Sequence, residues 1–369
     1  MNKTKIAIIG ASYLQLPLVQ KAHDLGLETH CFAWEEGAVC KKFADYFYPI
    51  SILEKEEILK QCRQKQINGI TTIATDMAVP TVCFVAEKMG LISNSYNSAL
   101  VSTNKALMRE RFNRYNVVSP KHIVINGDIL KNINYPMIVK PVDRSGSRGV
   151  AKVSSPDEMF TAILNARDES LSDEVIIEEF IEGNEISVEC ISWKGKHYLL
   201  AITDKVTTGE PNFVELAHHQ PTQLSSDFQK LIRDETIKAL DALDIKFGAS
   251  HTEFKITNKG ELYIIEVGAR MGGDFIGSHL VKLSTGYDYL KGVIACALNQ
   301  FEEPRVEFLK FSGVYFLCKE TEYLKPYFEG SNPFDIEKKI IRHNLQFISN
   351  SNDRSGYLIY CDINKIILS

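Results

Sequence analysis

The first 95 residues alternate short apolar runs with segments of helical periodicity. Residues 5–9 (KIAII) form an apolar run typical of a buried strand, and 16–25 repeat apolar positions at helical spacing. The alternation continues with two more strands and two more helices, at 28–33, 54–66, 69–74 and 79–89. This strand-helix order predicts a parallel, doubly wound sheet over 1–95.

The turn after the first strand carries little sign of a dinucleotide site. Gly10-Ala11-Ser12 lacks the second and third glycines of the dinucleotide fingerprint, and no acidic residue closes the second strand. The sequence therefore argues against nicotinamide cofactors at this turn.

Beyond residue 95 the pattern changes to mixed helices and strands. A helix is predicted at 104–115, with Thr103 as its N-terminal cap. Further helices are predicted at 157–166, 226–243 and within 276–299. Strands are predicted at 135–140, 175–177 and 185–192; residues 203–222 are polar and predict a long loop. The expected fold class is α/β (α+β overall). Its domains are the N-terminal doubly wound parallel sheet, two α+β subdomains at 96–185 and 186–300, and a C-terminal β-rich accessory layer at 301–369.

Composition narrows the class of protein. The 369 residues are 44% hydrophobic and 24% charged, which is ordinary for a globular protein, and a net charge of −5 gives no support for a nucleic-acid surface. No apolar run approaches the roughly 20 residues of a membrane span, and the N-terminus is expected to be mature structure. Eight scattered cysteines without a CxxC pair favour reduced thiols and a cytoplasmic location.

Two glutamates on a predicted hairpin form the first candidate site. Strands around a turn at 257–260 would bring Glu253 opposite Ile264 and make Glu266 its diagonal neighbour on the same face. Two close carboxylates suit Mg²⁺, which takes one or two of them plus substrate phosphates. The small-residue loop that follows would bring Arg270 to this metal. The alternative is a surface hairpin in which Glu253 pairs with a lysine.

A second group of residues favours phosphate binding. Lys105 lies in the first turn of a predicted helix, where a bound phosphate would relieve its mismatch with the helix dipole. Lys140 ends a strand, and the glycine-rich segment 145–149 follows within a few residues and can form an anion nest. Alternatively, Lys105 is an exposed lysine, the glycine-rich segment is a common turn, and the acidic stretch 178–185 is only a pair of strands.

Taken in order, these parts resemble an ATP-grasp enzyme from about residue 100 to 300. The resemblance implies that residues 96–185 are the small subdomain with a glycine-rich lid and 186–300 the large subdomain with the metal site. It implies roles for residues that would contact ATP: Lys105, Lys140, Ser145, Gly146, Ser147 and Gly149 at the phosphates, Glu178, Glu179 and Ile181 at the adenine, and Glu185 at the ribose. Glu253 and Glu266 would bind one or two Mg²⁺ ions, with Mn²⁺ as an alternative.

The stretch EVGARMGGD is similar to that of amino-acid ligases that make dipeptides, in which the arginine stabilises a developing acyl phosphate. The resemblance therefore implies an ADP-forming carboxylate–amine ligase with Arg270 as a catalytic residue. Many members have asparagine two residues after the second glutamate, as a ligand of a second metal. Here that residue is Gly268, which leaves the coordination of a second metal open.

The resemblance leaves two alternatives open: a purine-pathway or carboxylase-like ligase of the phosphoribosylamine–glycine type, and an ATP-binding module without turnover. The expected partners are a small carboxylate and a small amine, with a homodimer as the expected assembly and no nucleic acid or membrane. Candidate substrate contacts are Glu215, His218, Gly272 and Gly273; Glu215 and His218 could equally cap the predicted loop.

Overall fold

The N-terminal part of the chain is a parallel sheet. The structure, a computed structural model, describes residues 3–125 and 134–369. The sheet has the strand order β3-β2-β1-β4, all parallel. Its strands are β1 (Lys5–Ile9), β2 (Glu28–Phe32), β3 (Tyr46–Tyr48) and β4 (Gly69–Thr71), and they alternate with helices α1 (Leu16–Asp24), α2 (Lys55–Lys65) and α3 (Val79–Met89). The predicted parallel sheet is confirmed.

Two short helices, α4 (Tyr96–Thr103) and α5 (Lys105–Arg114), lead into the next part. The predicted cap at Thr103 is wrong. Its hydroxyl donates back to Ala99 O at 2.8 Å within α4, whereas the side chain of Asn104 accepts from the backbone N–H of Leu107 at the start of α5. An asparagine oxygen satisfies an N–H that the first helical turn leaves free, so α5 begins one residue later than expected.

The second sheet is small and antiparallel, in the order β5-β8-β6-β7. Its elements are β5 (His122–Ile125), β6 (Met137–Pro141), β7 (Ala151–Val153), α6 (Pro156–Glu169) and β8 (Val175–Glu179). Helix α6 begins with a proline, whose missing N–H costs nothing there. Its apolar positions recur at helical spacing and cover the sheet: Met159, Ala162, Ile163 and Ala166 pack with Val139, Val153, Val175 and Ile177.

The third sheet has eight antiparallel strands in the order β13-β12-β9-β10-β11-β14-β16-β15. These are β9 (Asn184–Trp193), β10 (Lys196–Thr207), β11 (Glu215–Gln220), β12 (Gly248–Ile256), β13 (Leu262–Gly268), β14 (Phe311–Leu317), β15 (Asp335–Ile340) and β16 (Gly356–Asp362). The helices between them are α7 (Ser226–Ala242), α8 (Val281–Thr285), α9 (Tyr289–Ala297) and α10 (Lys325–Glu329). The last three strands continue the central sheet, so the β-rich region predicted at 301–369 extends that sheet, while its accessory role stays a prediction.

Each face of the central sheet is covered by different helices because side chains alternate along a strand. On one face, Ile186, Val188 and Cys190 of β9 pack with apolar residues of α5 and α7. On the other face, Ile191 packs with Tyr289 and other residues of α9 and with the N-terminal sheet. The α/β fold class is confirmed, and the small sheet and the central sheet face each other across the smaller of the two cavities described below.

Two local expectations fail for reasons of strand pairing. Residues 203–222 include the end of β10 and all of β11, joined by residues 208–214. Lys205, Glu215 and His218 face a charged cavity, and His219 and Gln220 on the other face form buried hydrogen bonds, so these polar side chains do not face bulk water. In the β12–β13 hairpin, Ile256 pairs with Leu262 across a longer turn, and a bulge follows at Glu253/Phe254. Glu253 therefore lies directly opposite Glu266, where the sequence predicted Ile264.

All eight cysteines are free thiols, seven of them buried. Among residues 3–125 and 134–369, no helix has both the length and the apolar character needed to cross a bilayer.

Candidate active site

One face of the central sheet carries a row of charged side chains. Lys255 pairs with Glu185 of β9, Glu185 with Lys205 of β10, and Lys205 with His218 of β11. Residues paired across strands share a face, and Glu253 lies on that face two residues before Lys255. Two adjoining cavities open above this row. They have volumes of about 510 and 210 Å³, and Lys205, Glu253 and Arg270 line both.

The smaller cavity lies between the small sheet and the central sheet. The structure places most of the residues that the sequence predicted for ATP on its wall: Lys105, Lys140, Ser145, Gly146, Ser147, Glu178, Glu179, Ile181 and Glu185. Both predicted metal ligands, Glu253 and Glu266, line it as well. Residues far apart in sequence thus meet in one place, while their individual roles stay predictions.

Lys140 and Glu178 are buried lining residues of this cavity, and Glu178 is also bound by Arg109, which the sequence analysis did not single out. Lys140 Nζ lies 2.6 Å from Glu178 Oε2, and Arg109 Nε donates to Glu178 Oε1 at 2.8 Å. Burial alone would raise the pKa of Glu178, but the charges of Arg109 and Lys140 outweigh it and lower that pKa to about 2. Glu178 is therefore ionised and holds the lysine in place.

The predicted lid is a tight turn. Gly146 and Ser147 are consecutive residues with left-handed backbones, with φ of 70° and 57°. Successive N–H groups in such a turn can bind an anion. Gly149 also has a positive φ, and a Cβ there would lie 3.0 Å from Pro141 Cγ. The close approach keeps the turn against the end of β6. Gly149 itself does not line the smaller cavity.

At the far end of the smaller cavity, the backbone N–H of Glu179 donates to Lys121 O at 2.9 Å and its carboxylate accepts from Lys121 N–H at the same distance. A nucleotide base would therefore have to use other backbone groups of this segment. Glu185, the residue predicted for ribose, is 2.9 Å from Lys255 Nζ. Its carboxylate is thus held by a lysine on the neighbouring strand.

The two predicted metal ligands are each contacted by a lysine. Lys205 Nζ donates to Glu253 Oε1 at 2.9 Å, and Lys105 Nζ donates to Glu266 Oε1 at 3.0 Å. Burial would raise the pKa of Glu253, but Lys205 and His251 outweigh it and hold that pKa well below its usual range. Glu253 is thus available as an anion. The alternative prediction, in which Glu253 pairs with a lysine, is correct about that contact. It is wrong about the hairpin as a surface feature, because Glu253 and Glu266 line a cavity.

These residues fit a hard divalent cation whose other ligands come from a substrate. Among the described residues, no cluster of three or more His, Cys, Asp and Glu side chains could hold a metal alone. Two opposed carboxylates match the one or two that Mg²⁺ takes when phosphates complete its shell. A side chain at position 268 could not add a ligand without rearrangement, because a Cβ at Gly268 would lie 2.5 Å from Asp76 Oδ1.

Arg270 lies at the junction of the two cavities. Its Nη2 donates to Asp76 Oδ2 at 2.7 Å, and its Nη1 donates to Met271 O at 3.3 Å. Arg270 is thus paired with an acid of the N-terminal part of the chain. The acid nearer in sequence, Asp274, is bound by Arg354 Nη1 at 2.7 Å.

The four candidate substrate contacts separate in the structure. Glu215, His218 and Gly273 line the larger cavity. Gly272 is buried, and its N–H donates to Glu189 Oε2 at 3.0 Å; a Cβ there would lie 2.3 Å from Glu189 Oε1. The close contact with Glu189 thus explains why residue 272 is glycine, and Gly272 does not line the larger cavity.

His218 and Glu215 face charged partners in the larger cavity. Burial lowers the pKa of His218, in spite of Asp274 at 3.9 Å, so the imidazole is neutral near pH 7. Glu215 accepts from Arg354 Nη2 at 3.1 Å and lies 3.3 Å from Lys205 Nζ. Neither residue caps a loop, because both belong to β11.

Several charged residues of the site escaped the sequence analysis. His251 is bound to Glu189 and lies 3.2 Å from Glu253; burial would lower its pKa, but these carboxylates raise the pKa to about 9. His251 could have been found, since it shares a strand face with Glu253 two residues away. Lys205 was missed because the sequence predicted residues 203–222 as a loop. Asp76 and Arg354 reach the site through tertiary contacts, which no local sequence pattern predicts.

Comparison with known proteins agrees with this arrangement. Residues 133–278 match the ATP-grasp domain family. The chain is 28% identical over 272 residues to an alanine–anticapsin ligase of Bacillus subtilis; the match covers 63% of this chain and 57% of that protein. The chain thus spans a little over half the length of the curated relatives it matches.

Solved structures extend the likeness of the fold to nearly the whole chain. An L-amino acid ligase from Bacillus licheniformis superposes with a TM-score of 0.81 at 22% identity, covering 99% of this chain and 95% of that one. Phosphoribosylglycinamide synthetase from Anaerococcus prevotii superposes with a TM-score of 0.78 at 21% identity, covering 98% and 95%. By sequence, residues 133–278 thus match an ATP-grasp domain, and nearly the whole chain shares the fold of these two structures.

Proposed function

We propose that the protein is an ATP- and Mg²⁺-dependent carboxylate–amine ligase, which forms an amide through an acyl phosphate and releases ADP and phosphate. The observation that carries this proposal is the junction of the two cavities. Lys205, Glu253 and Arg270 line both of them. A phosphoryl group in the smaller cavity and an acceptor in the larger cavity would meet at these three side chains.

The smaller cavity supports ATP as one substrate. Lys105 and Lys140 are cations that can neutralise phosphate oxygens, and the left-handed turn at Gly146 and Ser147 can present N–H groups to them. Glu253 and Glu266 would hold Mg²⁺, which supplies charge neutralisation at the transferring phosphoryl group. Phosphoryl transfer depends mainly on such positioning and charge.

The larger cavity supports a small carboxylate and a small amine as the other substrates. Its wall includes both cations and anions, among them Arg270, Lys205, Glu215 and Asp274. Substrates that carry an ammonium and a carboxylate together would find partners of both signs there. The similarity to an alanine–anticapsin ligase supports amino acids as the substrate class.

The reaction follows from these placements in two steps. A carboxylate oxygen attacks the γ-phosphorus of ATP, the bond from that phosphorus to the bridging oxygen breaks, and ADP leaves. Arg270 lies where charge would develop on the acyl phosphate, and a guanidinium can contact two oxygens at once. The amine nitrogen then attacks the acyl carbon, phosphate departs and the amine loses a proton. His218, which lines the larger cavity and is neutral near pH 7, is our candidate acceptor for that proton.

The test is a coupled assay of ADP and phosphate release. We expect the protein with Mg-ATP to release both when a pool of amino acids is added, and single amino acids and pairs would then identify the two substrates by mass spectrometry of the product. Glu253→Gln, which keeps the shape but not the charge of a predicted metal ligand, is the matched control and should be inactive. Release of AMP in place of ADP would exclude the acyl-phosphate route.

Two alternatives give different outcomes in the same assay. The likeness to phosphoribosylglycinamide synthetase favours a purine-type ligase, which would release ADP with a phosphoribosylated amine or with bicarbonate and not with amino acids alone. Gly268 favours an ATP-binding module without turnover, for which ATP binds tightly but no carboxylate and amine pair yields ADP. A homodimer stays a prediction, and sedimentation analysis would test it.

A further inference from the structure

The loop that carries Arg270 is bound from outside the ATP-grasp segment, by the N-terminal part of the chain. Ile73 forms a β-bridge with Met271, and Ala74 N–H donates to Met271 O at 3.0 Å. Two residues further on, Asp76 accepts from Arg270 Nη2 at 2.7 Å. These three contacts connect the segment after β4 to the loop after β13, a connection that the sequence does not suggest.

The carboxylate of Asp76 is buried, and only one of its two oxygens has a hydrogen-bond partner among the described residues. Its relative exposure is 8%, it lines both cavities, and its second oxygen, Oδ1, is buried without a partner among the described residues. Leaving a buried polar atom unpaired costs about 1–3 kcal/mol. Oδ1 occupies the space over Gly268, 2.5 Å from where a Cβ would be.

Two of the three nitrogens of the Arg270 guanidinium form hydrogen bonds within the protein. Its Nη2 and Nη1 are bound to Asp76 and to Met271 O, but its Nε is buried without a partner among the described residues. These two bonds fix the plane of the group and use two of its five N–H donors, so the second N–H of Nη1 and of Nη2 can meet an oxygen placed in the cavity.

We propose that Asp76 is a positioning residue for Arg270, supplied to the site by the N-terminal sheet, and that residue 268 is glycine because this carboxylate needs the space above it. The inference rests on the proposed function, because it assigns Arg270 to the transferring phosphoryl group. Asp76 acts through Arg270 and does not touch the substrate. A displacement of the guanidinium by about 1 Å can cost about 10²-fold in rate.

A double-mutant cycle on turnover tests the positioning role in the full-length protein. Asp76→Ala should lower kcat for ADP release by about 10²-fold while the KM for ATP changes only a few-fold. Arg270→Ala should lower kcat by about 10²–10³-fold. In the Arg270→Ala background, Asp76→Ala should have almost no further effect, and Asp76→Asn should retain part of the rate because it keeps the shape but not the charge. If the two effects multiply, or if only KM changes, Asp76 does not act through Arg270.

A second cycle needs no activity. Gly268→Ala should lower the urea midpoint of unfolding, because its Cβ overlaps Asp76 Oδ1, and the loss should shrink when Asp76→Ala removes that oxygen. Gly273→Ala is the matched control, since its Cβ would meet nothing closer than 3.5 Å. An equal loss with and without Asp76 would overturn the proposed reason for glycine at 268. If the wild type releases no ADP with any substrate, the proposed function fails, while this cycle still decides the contact.

Discussion

The buried cluster of Arg109, Glu178 and Lys140 gives a quantitative prediction. Glu178→Gln preserves the size of the side chain and removes its charge. The change leaves two cations, of which Arg109 is fully buried and Lys140 is 6% exposed, without the carboxylate that both contact. Removing one partner of a buried ion pair destabilises proteins by about 3–5 kcal/mol.

The pKa of Glu178 leads to a similar magnitude. Its pKa falls from 4.5 to about 2 in the folded protein. The difference of about 2.5 pH units corresponds to about 3 kcal/mol of stability at pH 7. Because the pKa is lowered on folding, this stabilisation is fully present above pH 4.5 and is lost as the pH falls towards 2. The difference in unfolding free energy between the wild type and Glu178→Gln should thus shrink by about half between pH 7 and pH 3.

The measurement is urea unfolding of both proteins, followed by circular dichroism at several pH values. Glu182→Gln is the control, because Glu182 is an exposed acid in the same segment and should change the unfolding free energy little at any pH. A difference below about 1 kcal/mol at pH 7, or one that does not change with pH, would refute the idea that Glu178 is a charged partner of two buried cations.

Three further predictions address the smaller cavity and the β12–β13 hairpin. Lys140→Met should weaken ATP binding about tenfold to hundredfold in calorimetry, since a charged hydrogen bond to phosphate contributes about 1.5–3 kcal/mol; unchanged affinity would move the phosphate site elsewhere. Glu253→Gln should weaken Mn²⁺ binding in the presence of ADP, measured by electron paramagnetic resonance, and an unchanged signal would remove it from the metal ligands. Gly183→Ala should lower the melting temperature, because a Cβ would lie 2.1 Å from Ile256 O; an unaltered thermal transition would contradict this packing.

The elements of the fold were largely predictable because each has a local pattern. The parallel N-terminal sheet follows from apolar runs alternating with helical periodicity, and α6 and α7 follow from their spacing of buried positions. The 203–222 parts of β10 and β11 were missed because their polar residues face a charged cavity on one side and make buried hydrogen bonds on the other, so the rule that polar stretches are loops failed. The register of the β12–β13 hairpin was missed because the longer turn shifts the pairing by one and the bulge after Glu253 shifts it by one more, and no residue type marks that bulge.

The candidate site was predictable in its list of residues but not in its network of charges. Lys105, Lys140, Glu253 and Glu266 are recognisable through their order along the chain. Their present partners were not foreseen, because a pairing such as that of Lys105 with Glu266 joins residues 161 positions apart. Asp76 was overlooked for the same reason, since it acts on a loop almost two hundred residues later.

The placement of strand β14 between β11 and β16 has a consequence for synthesis of the protein. The edge of β11, which carries Glu215 and His218, stays without a partner until Phe311–Leu317 has left the ribosome. Asp274 gains its buried counter-ion only when Arg354 has followed. A nascent chain that already holds all residues of the smaller cavity would thus still lack the part of the larger cavity formed by residues 350–352. The order of synthesis therefore delays a complete larger cavity until Arg354 has been made.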